Sequence, residues 1–200
     1  MPDDKHSFDV TRRSVLAGAT LVPIAALAAP AQTAPPTALT PGQRKTLEAF
    51  VDRLVPKDEL GPGAVECGAA HYIDVQLAGY LAAERETLAA GLDAVDQFAR
   101  ATRGAPMADL PPDQRDAILT AVENGSADGV PNARAFFTRV RRLTLEGMFG
   151  DPHYGGNTNF AGWDLIRYPG PRLAVGPEEQ KMGAPPKPYR RSAWGSEHGH

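Results

Sequence analysis

The sequence predicts an all-α protein: a small bundle of about five helices, then an irregular segment rich in glycine and aromatic rings, then an extended C-terminal tail. Three observations support this reading. Apolar residues recur at helical spacing in five windows between residues 40 and 149. Capping residues, prolines and glycines stand where those windows begin and end. No window shows the sustained period-two alternation of a strand. With 42% hydrophobic and 22% charged residues, the 200-residue chain has the composition of one globular domain with tails. Its formal charge of -3 offers no electrostatic reason to expect nucleic acid as a partner.

Residues 1–31 read as an export signal. A polar start leads to Arg12 and Arg13 and then to a 13-residue apolar run over 17–29. That run falls short of the roughly 20 residues a bilayer span needs, and Pro23 interrupts it. Small residues at Ala26 and Ala28, or at Ala29 and Ala31, provide alternative cleavage sites. The twin-arginine pattern predicts a periplasmic protein. Cleavage after Ala31 leaves the charge at -3, because Lys5, Arg12 and Arg13 balance Asp3, Asp4 and Asp9. Residues 32–39 have the proline and small-polar composition of a flexible lead-in.

The first helix opens at Thr40, a capping residue followed by Pro41, turns Leu47, Phe50, Val51, Leu54 and Val55 inward, and ends at Pro56. Residues 57–63 form a tight turn, in which Asp58 and Glu59 are solvated rather than metal ligands. A second helix runs from Ala64 with Val65, Ala69, Tyr72, Ile73, Leu77 and Tyr80 or Leu81 on its inner stripe. The third covers 84–103 with Leu88, Leu92, Val95, Phe98 and Thr102 stacked, and Gly104 closes it. The fourth covers 109–125, with Pro111 and Pro112 near its start and Ile118, Leu119 and Val122 inward. Val130 and Pro131 open the fifth, which puts Phe136, Val140 and Leu143 on one face and Arg134 and Arg141 on the solvated one.

That helix delivers the segment 147–170. Glycine fills six of its 24 positions, and Phe149, His153, Tyr154, Phe160, Trp163 and Tyr168 supply rings. So much glycine argues against a helix interior, and so many rings argue against an idle solvated loop. The segment therefore reads as a surface built to touch something. After Gly170, thirty residues rich in proline and poor in aliphatics cannot bury enough apolar area to fold alone. The tail is expected to be disordered or to lie on a partner, and Tyr189 and Trp194 favour the partner.

Candidate chemistry is sparse. Cys67 is the single cysteine, which excludes an internal disulfide, a cysteine-held cluster, a CxxC pair and a c-type haem attachment. His71 and Asp74 are three apart and can face each other, yet no nucleophile accompanies them. Cys67 and His71 have two-ligand metal spacing without a third ligand, so Cys67 reads either as a buried inert thiol or as half of an intermolecular disulfide. Asp151, His153 and Asp164 are able to converge in a stand-alone enzyme or metal protein, although Asp-Pro and Gly-Asp pairs are also plain turn chemistry. His198 and His200 read as solvated.

Two blocks carry a resemblance: LVPKDELGPGAVECGAAHYIDVQLAG at 54–79, and the run TLEGMFGDPHYGGNTNFAGWDLIRYPGP, led by Phe136 and Phe137, within 136–171. Together with the twin-arginine leader, they resemble gluconate 2-dehydrogenase subunit 3, the small subunit of periplasmic flavin-dependent sugar and sugar-acid dehydrogenases. The similarity covers about residues 40–170, with 171–200 as the tail. It implies a non-catalytic helical subunit that binds a large FAD-bearing subunit, stabilises it and escorts it through the twin-arginine translocase. It also places FAD, with an iron–sulfur cluster as a further candidate, in that partner rather than in this chain. A multihaem cytochrome c commonly joins as third subunit, and any membrane association comes through the complex. The resemblance further makes Cys67 a candidate for an interchain disulfide. On this reading the segment 147–170 is a docking surface. Tyr154, Trp163 and Tyr168 are its anchors, Phe149 and Asn157 lie beside them, and Gly155 and Gly156 let another backbone come close.

Overall fold

The computed structural model describes residues 37–172, 174–181, 183 and 187–195. The export signal with Arg12 and Arg13, most of the lead-in, His198 and His200 lie outside the described residues. Among the described residues, six α-helices follow one another: α1 Pro41–Leu54, α2 Ala69–Ala78, α3 Arg85–Arg103, α4 Pro112–Asn124, α5 Ala133–Phe149 and α6 Ala161–Leu165. The described residues contain no strand, only an isolated bridge between Asp58 and Gly61 that closes the predicted tight turn. None of their helices is long and apolar enough to cross a membrane.

Local chemistry explains the first boundary. Thr40 Oγ1 accepts from the Gln43 backbone N–H at 3.3 Å, and Gln43 Oε1 accepts from the Thr40 N–H at 3.0 Å. This reciprocal box, with Pro41 in the first turn, satisfies donors that a helix start otherwise leaves open. α1 then packs against α2, α3, α4 and α5, which makes it the axis of the bundle. The Phe50 ring meets Phe136 edge-on at a centroid distance of 5.9 Å and Phe137 at 5.9 Å. Around them Leu47, Val51, Ile73, Leu77, Leu92 and Val140 are fully buried, each contributing about 1.5–3 kcal/mol of transfer free energy.

The structure moves several predicted boundaries inward. Residues 64–68 form a turn rather than the start of α2, because Gly68 adopts a left-handed conformation (φ 74°) and interrupts the helical run. Val65, predicted to face the core, consequently precedes α2 and is exposed, and of the predicted alternatives Tyr80 and Leu81 it is Leu81 that packs against the core while Tyr80 is exposed. α3 and α4 are each preceded by a short 3₁₀ turn, Ala82–Glu84 and Met107–Asp109. Thr102 points to solvent and donates to the Phe98 carbonyl at 2.7 Å instead of joining the core stripe. The largest departure lies at the end of the chain's helical half. Gly147 sits inside α5, and a sixth short helix forms within the segment expected to be irregular.

Asp74 replaces a hypothetical catalytic role with a structural one. It is buried, and its Oδ1 accepts from Ala38 N–H at 2.7 Å and Leu39 N–H at 2.8 Å, while Arg44 stands 3.7 Å from Oδ2. His71, the partner considered from the sequence, is exposed. The carboxylate thus clamps the entry to α1 onto α2. Asp74→Ala leaves two backbone donors unmet and is expected to cost about 2–3 kcal/mol, read as a lower urea midpoint. The Leu39 amide should lose its hydrogen-exchange protection at the same time. An unchanged Leu39 rate in that variant would remove the clamp from the account.

Candidate functional site

The segment 147–170 is built in two layers. The inner layer begins where α5 ends: Gly150 N–H donates to the Glu146 carbonyl at 2.8 Å, and the chain turns back on itself. Asn157, fully buried, then ties the return together. Its Nδ2 donates to the Gly150 carbonyl at 2.9 Å, and its Oδ1 accepts from Gly162 N–H at 2.9 Å and Trp163 N–H at 3.4 Å. Its own N–H donates to the Gly147 carbonyl at 2.7 Å. A side chain at Gly156 would meet that carbonyl at 2.2 Å, and one at Gly162 would meet the Met148 carbonyl at 1.8 Å. The glycines therefore do admit another backbone, but it is the last turn of α5.

Aromatic packing completes this layer. Trp163, expected at the docking surface, is buried, and its Nε1–H donates to the Phe149 carbonyl at 2.9 Å. Its ring lies 5.3 Å from Phe160 and 4.9 Å from Tyr168. A buried indole with its N–H satisfied inside the chain serves packing, not an exterior partner. Gly155 and Asn157 are buried as well, whereas Phe149 is half-buried and Tyr154 and Tyr168 stay 46% and 41% exposed. Of the predicted surface residues, only the two tyrosines and the edge of Phe149 remain available.

The outer layer is the tail. Tyr189 N–H donates to the Pro169 carbonyl at 2.7 Å, Arg190 pairs with Asp164, and Ala193 N–H donates to Asp151 Oδ2 at 2.8 Å. The Trp194 ring stacks on His153 at 5.3 Å, and Tyr154 meets the same histidine edge-on at 5.4 Å. Residues 187–195 thus run back along the segment as a strap, within which Ser192 is buried. The described part of the tail is therefore seated on the chain's own loop. The apolar surface it lacks is supplied by the loop it crosses.

The strap also accounts for the three residues of the catalytic alternative. Asp151 uses one oxygen for His153 N–H at 2.9 Å and the other for Ala193, so it caps a turn and holds the strap. Asp164 holds Arg190, and the His153 ring is a stacking platform. Among the described residues, no group of three or more His, Cys, Asp and Glu side chains is arranged to hold a metal ion.

The two sequence blocks meet here. Thr158 N–H donates to the Cys67 carbonyl at 3.1 Å, Gln76 Nε2 donates to the Tyr154 carbonyl at 3.0 Å, and Gly147 lies directly against Ala69 and Tyr72. Beside this junction runs a polar network absent from the sequence reading: Arg139 grips Glu84 with two bonds of 2.7 Å, and Glu146 takes Arg142 at 2.8 Å and the Tyr72 hydroxyl at 3.4 Å. Burial, reinforced by Glu146, pushes the Tyr72 phenol up to about 12. The i,i+4 spacing of Arg142 and Glu146 was a visible signal for part of the network. The Glu84–Arg139 pair spans 55 residues and left none.

Cys67 is buried under the same junction, and desolvation, with a smaller contribution from Glu66, pushes its thiol up to about 11. Cys67 is fully buried, so a partner cysteine reaches this sulfur only if the packing around it opens. The native thiol should therefore be inert to a disulfide reagent at neutral to mildly alkaline pH and react on unfolding. Because the folded value lies above the unfolded one of about 8.5, the thiol's contribution to stability is complete below that pH and is lost as pH rises through about 11. Cys67→Ala should flatten that alkaline decline, at a cavity cost of about 1 kcal/mol. Rapid labelling of the native protein would overturn this placement.

Neither the curated proteins nor the solved structures compared with this chain include a match. The family described as gluconate 2-dehydrogenase subunit 3 matches residues 41–170, from the first residue of α1 to the glycine that ends the two-layered segment. The match spans both blocks that meet at the Cys67–Thr158 junction, and the chain belongs to the gluconate 2-dehydrogenase subunit 3 family.

Proposed function

We propose that the chain is the non-catalytic small subunit of a flavin-dependent sugar or sugar-acid dehydrogenase complex. It binds the large FAD-bearing subunit, stabilises it and carries it through the twin-arginine translocase into the periplasm. Membership of the family supports a place in a dehydrogenase complex. One observation carries the non-catalytic reading: Asp151, His153 and Asp164, the best acid–base candidates in the sequence, are each engaged by the chain's own strap. A general base held as a turn cap and a strap anchor is not free to take a proton from substrate. The twin-arginine pattern supports the escort role, because that route moves folded cargo and this chain shows no cofactor-binding motif of its own.

Affinity purification of the tagged chain from its native host tests the proposal. The expected result is a co-purifying large subunit with an oxidised-flavin spectrum, while the chain alone shows neither flavin nor dehydrogenase activity. Haem staining of the same preparation identifies a cytochrome c partner. Changing Arg12 and Arg13 together to lysine should hold both subunits in the cytoplasm. Export of the flavoprotein in that background defeats the escort role, and activity or stoichiometric metal in the isolated chain defeats the non-catalytic one.

A further inference from the structure

The strap creates a surface that the loop alone does not have. Trp194 is 66% exposed above His153, Tyr154 flanks the same histidine, and Tyr189, Ile166 and Tyr168 are exposed where strap and loop meet at Pro169. These rings are held in place: the His153 ring touches both Trp194 and Tyr154, and Tyr168 leans on the buried Trp163. Preorganised aromatic residues of this kind are favoured at interface centres, because they lose little entropy on binding.

Charge separates this surface from the rest of the chain. Residues 165–195 contain six basic side chains and two acidic ones, a net of +4, on a chain whose overall charge is -3. Three of the basic groups are neutralised locally, Arg190 by Asp164, Arg172 by Glu179 and Lys181 by Glu178. Arg167 and Lys187 have no ion-pair partner among the described residues, and both are exposed close to the Pro169–Tyr189 bond. We infer that the strap and the loop together form the docking face for the large dehydrogenase subunit, and that the partner's contacting surface is acidic with an apolar centre. This rests on the small-subunit reading proposed above. An anionic membrane would also attract positive charge, but the features here fit it less well. The charges are few and separated, three are already paired, and the rings sit at fixed heights on an irregular scaffold rather than along one amphipathic helix.

Association kinetics with the purified large subunit decide the matter. For the wild-type full chain, the association rate should fall at least tenfold between about 50 mM and about 500 mM NaCl. Reversing Arg167 and Lys187 together to glutamate should lower the low-salt association rate about tenfold and remove most of the salt dependence. Trp194→Ala should leave association nearly unchanged and speed dissociation tenfold or more. All three positions are exposed, and unchanged circular dichroism of each variant keeps misfolding out of the comparison. If the wild type binds and both variants bind as it does, this face is wrong while the small-subunit reading stands. If the wild type does not bind the large subunit at all, the small-subunit reading itself fails. If wild-type chain binds phosphatidylcholine vesicles containing about one third phosphatidylglycerol, and the charge reversal abolishes that binding but not binding to the large subunit, the face belongs to a membrane surface.

Discussion

Gly162→Ala is expected to destabilise the protein by about 3 kcal/mol or more, lowering the melting temperature by roughly 6–12 °C for a domain of this size. The added Cβ would lie 1.8 Å from the Met148 carbonyl oxygen, 2.8 Å from its carbon and 3.2 Å from Asn157 Oδ1. The obstacle is backbone, so no rotamer change relieves it. Met148 is fully buried at the end of α5 and cannot retreat, so α6 must lift away. Lifting α6 breaks the Gly162 N–H bond to Asn157 and withdraws Trp163 Nε1 from the Phe149 carbonyl. The damage should therefore be local: far-UV dichroism of α1–α5 survives, while tryptophan emission shifts to the red. Gly42→Ala is the control, since nothing lies within 4 Å of a Cβ there and the position is an exposed site in α1. It should be neutral or stabilising by up to about 1 kcal/mol. A Gly162→Ala variant that melts with the wild type would mean that the close crossing of α5 and α6 does not exist in solution.

The helices were legible because their signals are local. Thr40 and Pro41 mark a helix start within four residues, and Phe136, Val140 and Leu143 repeat with the period of the face they bury. A stripe does not mark its own caps: Val65 fits the periodicity of α2 but precedes its Gly68 cap, and beyond the Gly79 cap Leu81 rather than Tyr80 packs inward. The segment 147–170 was recognised as unusual from composition alone, and Tyr154 and Tyr168 do remain at the surface. Its inner construction was hidden because glycine carries two meanings that composition does not separate. Gly156 and Gly162 permit close approach of the chain's own α5, not of a visitor. Trp163 was misplaced for the same reason, since a ring beside glycines reads alike whether it faces out or in.

The strap was illegible for a different reason. Considered alone, residues 171–200 lack the apolar area to order themselves. Order comes from bonds to Asp151, Asp164 and Pro169, which stand 42, 26 and 20 residues away from their strap partners. Those same two aspartates looked like candidate catalytic groups because nothing in the local sequence supplied their partners. Resolving the partner of an acidic residue, rather than its neighbours, is what separated structural carboxylates from chemical ones here. Asp74 is a further case, since the backbone donors it binds precede α1 while its apparent companion His71 faces solvent.

Asn157 should show the second large effect, and three substitutions divide it into parts. The residue is fully buried with φ 45° and ψ 47°, a left-handed conformation that asparagine tolerates better than most side chains. Asn157→Ala strands the Gly150 carbonyl and the Gly162 N–H and adds left-handed strain, for an expected loss of about 3–4 kcal/mol. Asn157→Gly loses the same bonds without the strain and should be milder by about 1 kcal/mol. Asn157→Asp keeps an acceptor for Gly162 N–H but turns an oxygen toward the Gly150 carbonyl. Burial and that carbonyl both raise the new carboxyl's folded pKa above its unfolded value of about 3.9. Stability of this variant should accordingly be greatest below that value, where the carboxyl is neutral and able to donate to Gly150, and fall as pH rises through the folded pKa. Urea titrations of the three variants across acidic and neutral pH test the scheme. If Asn157→Asp is no more stable relative to wild type in acid than at neutral pH, the Asn157–Gly150 hydrogen bond is not what holds the end of α5 to α6.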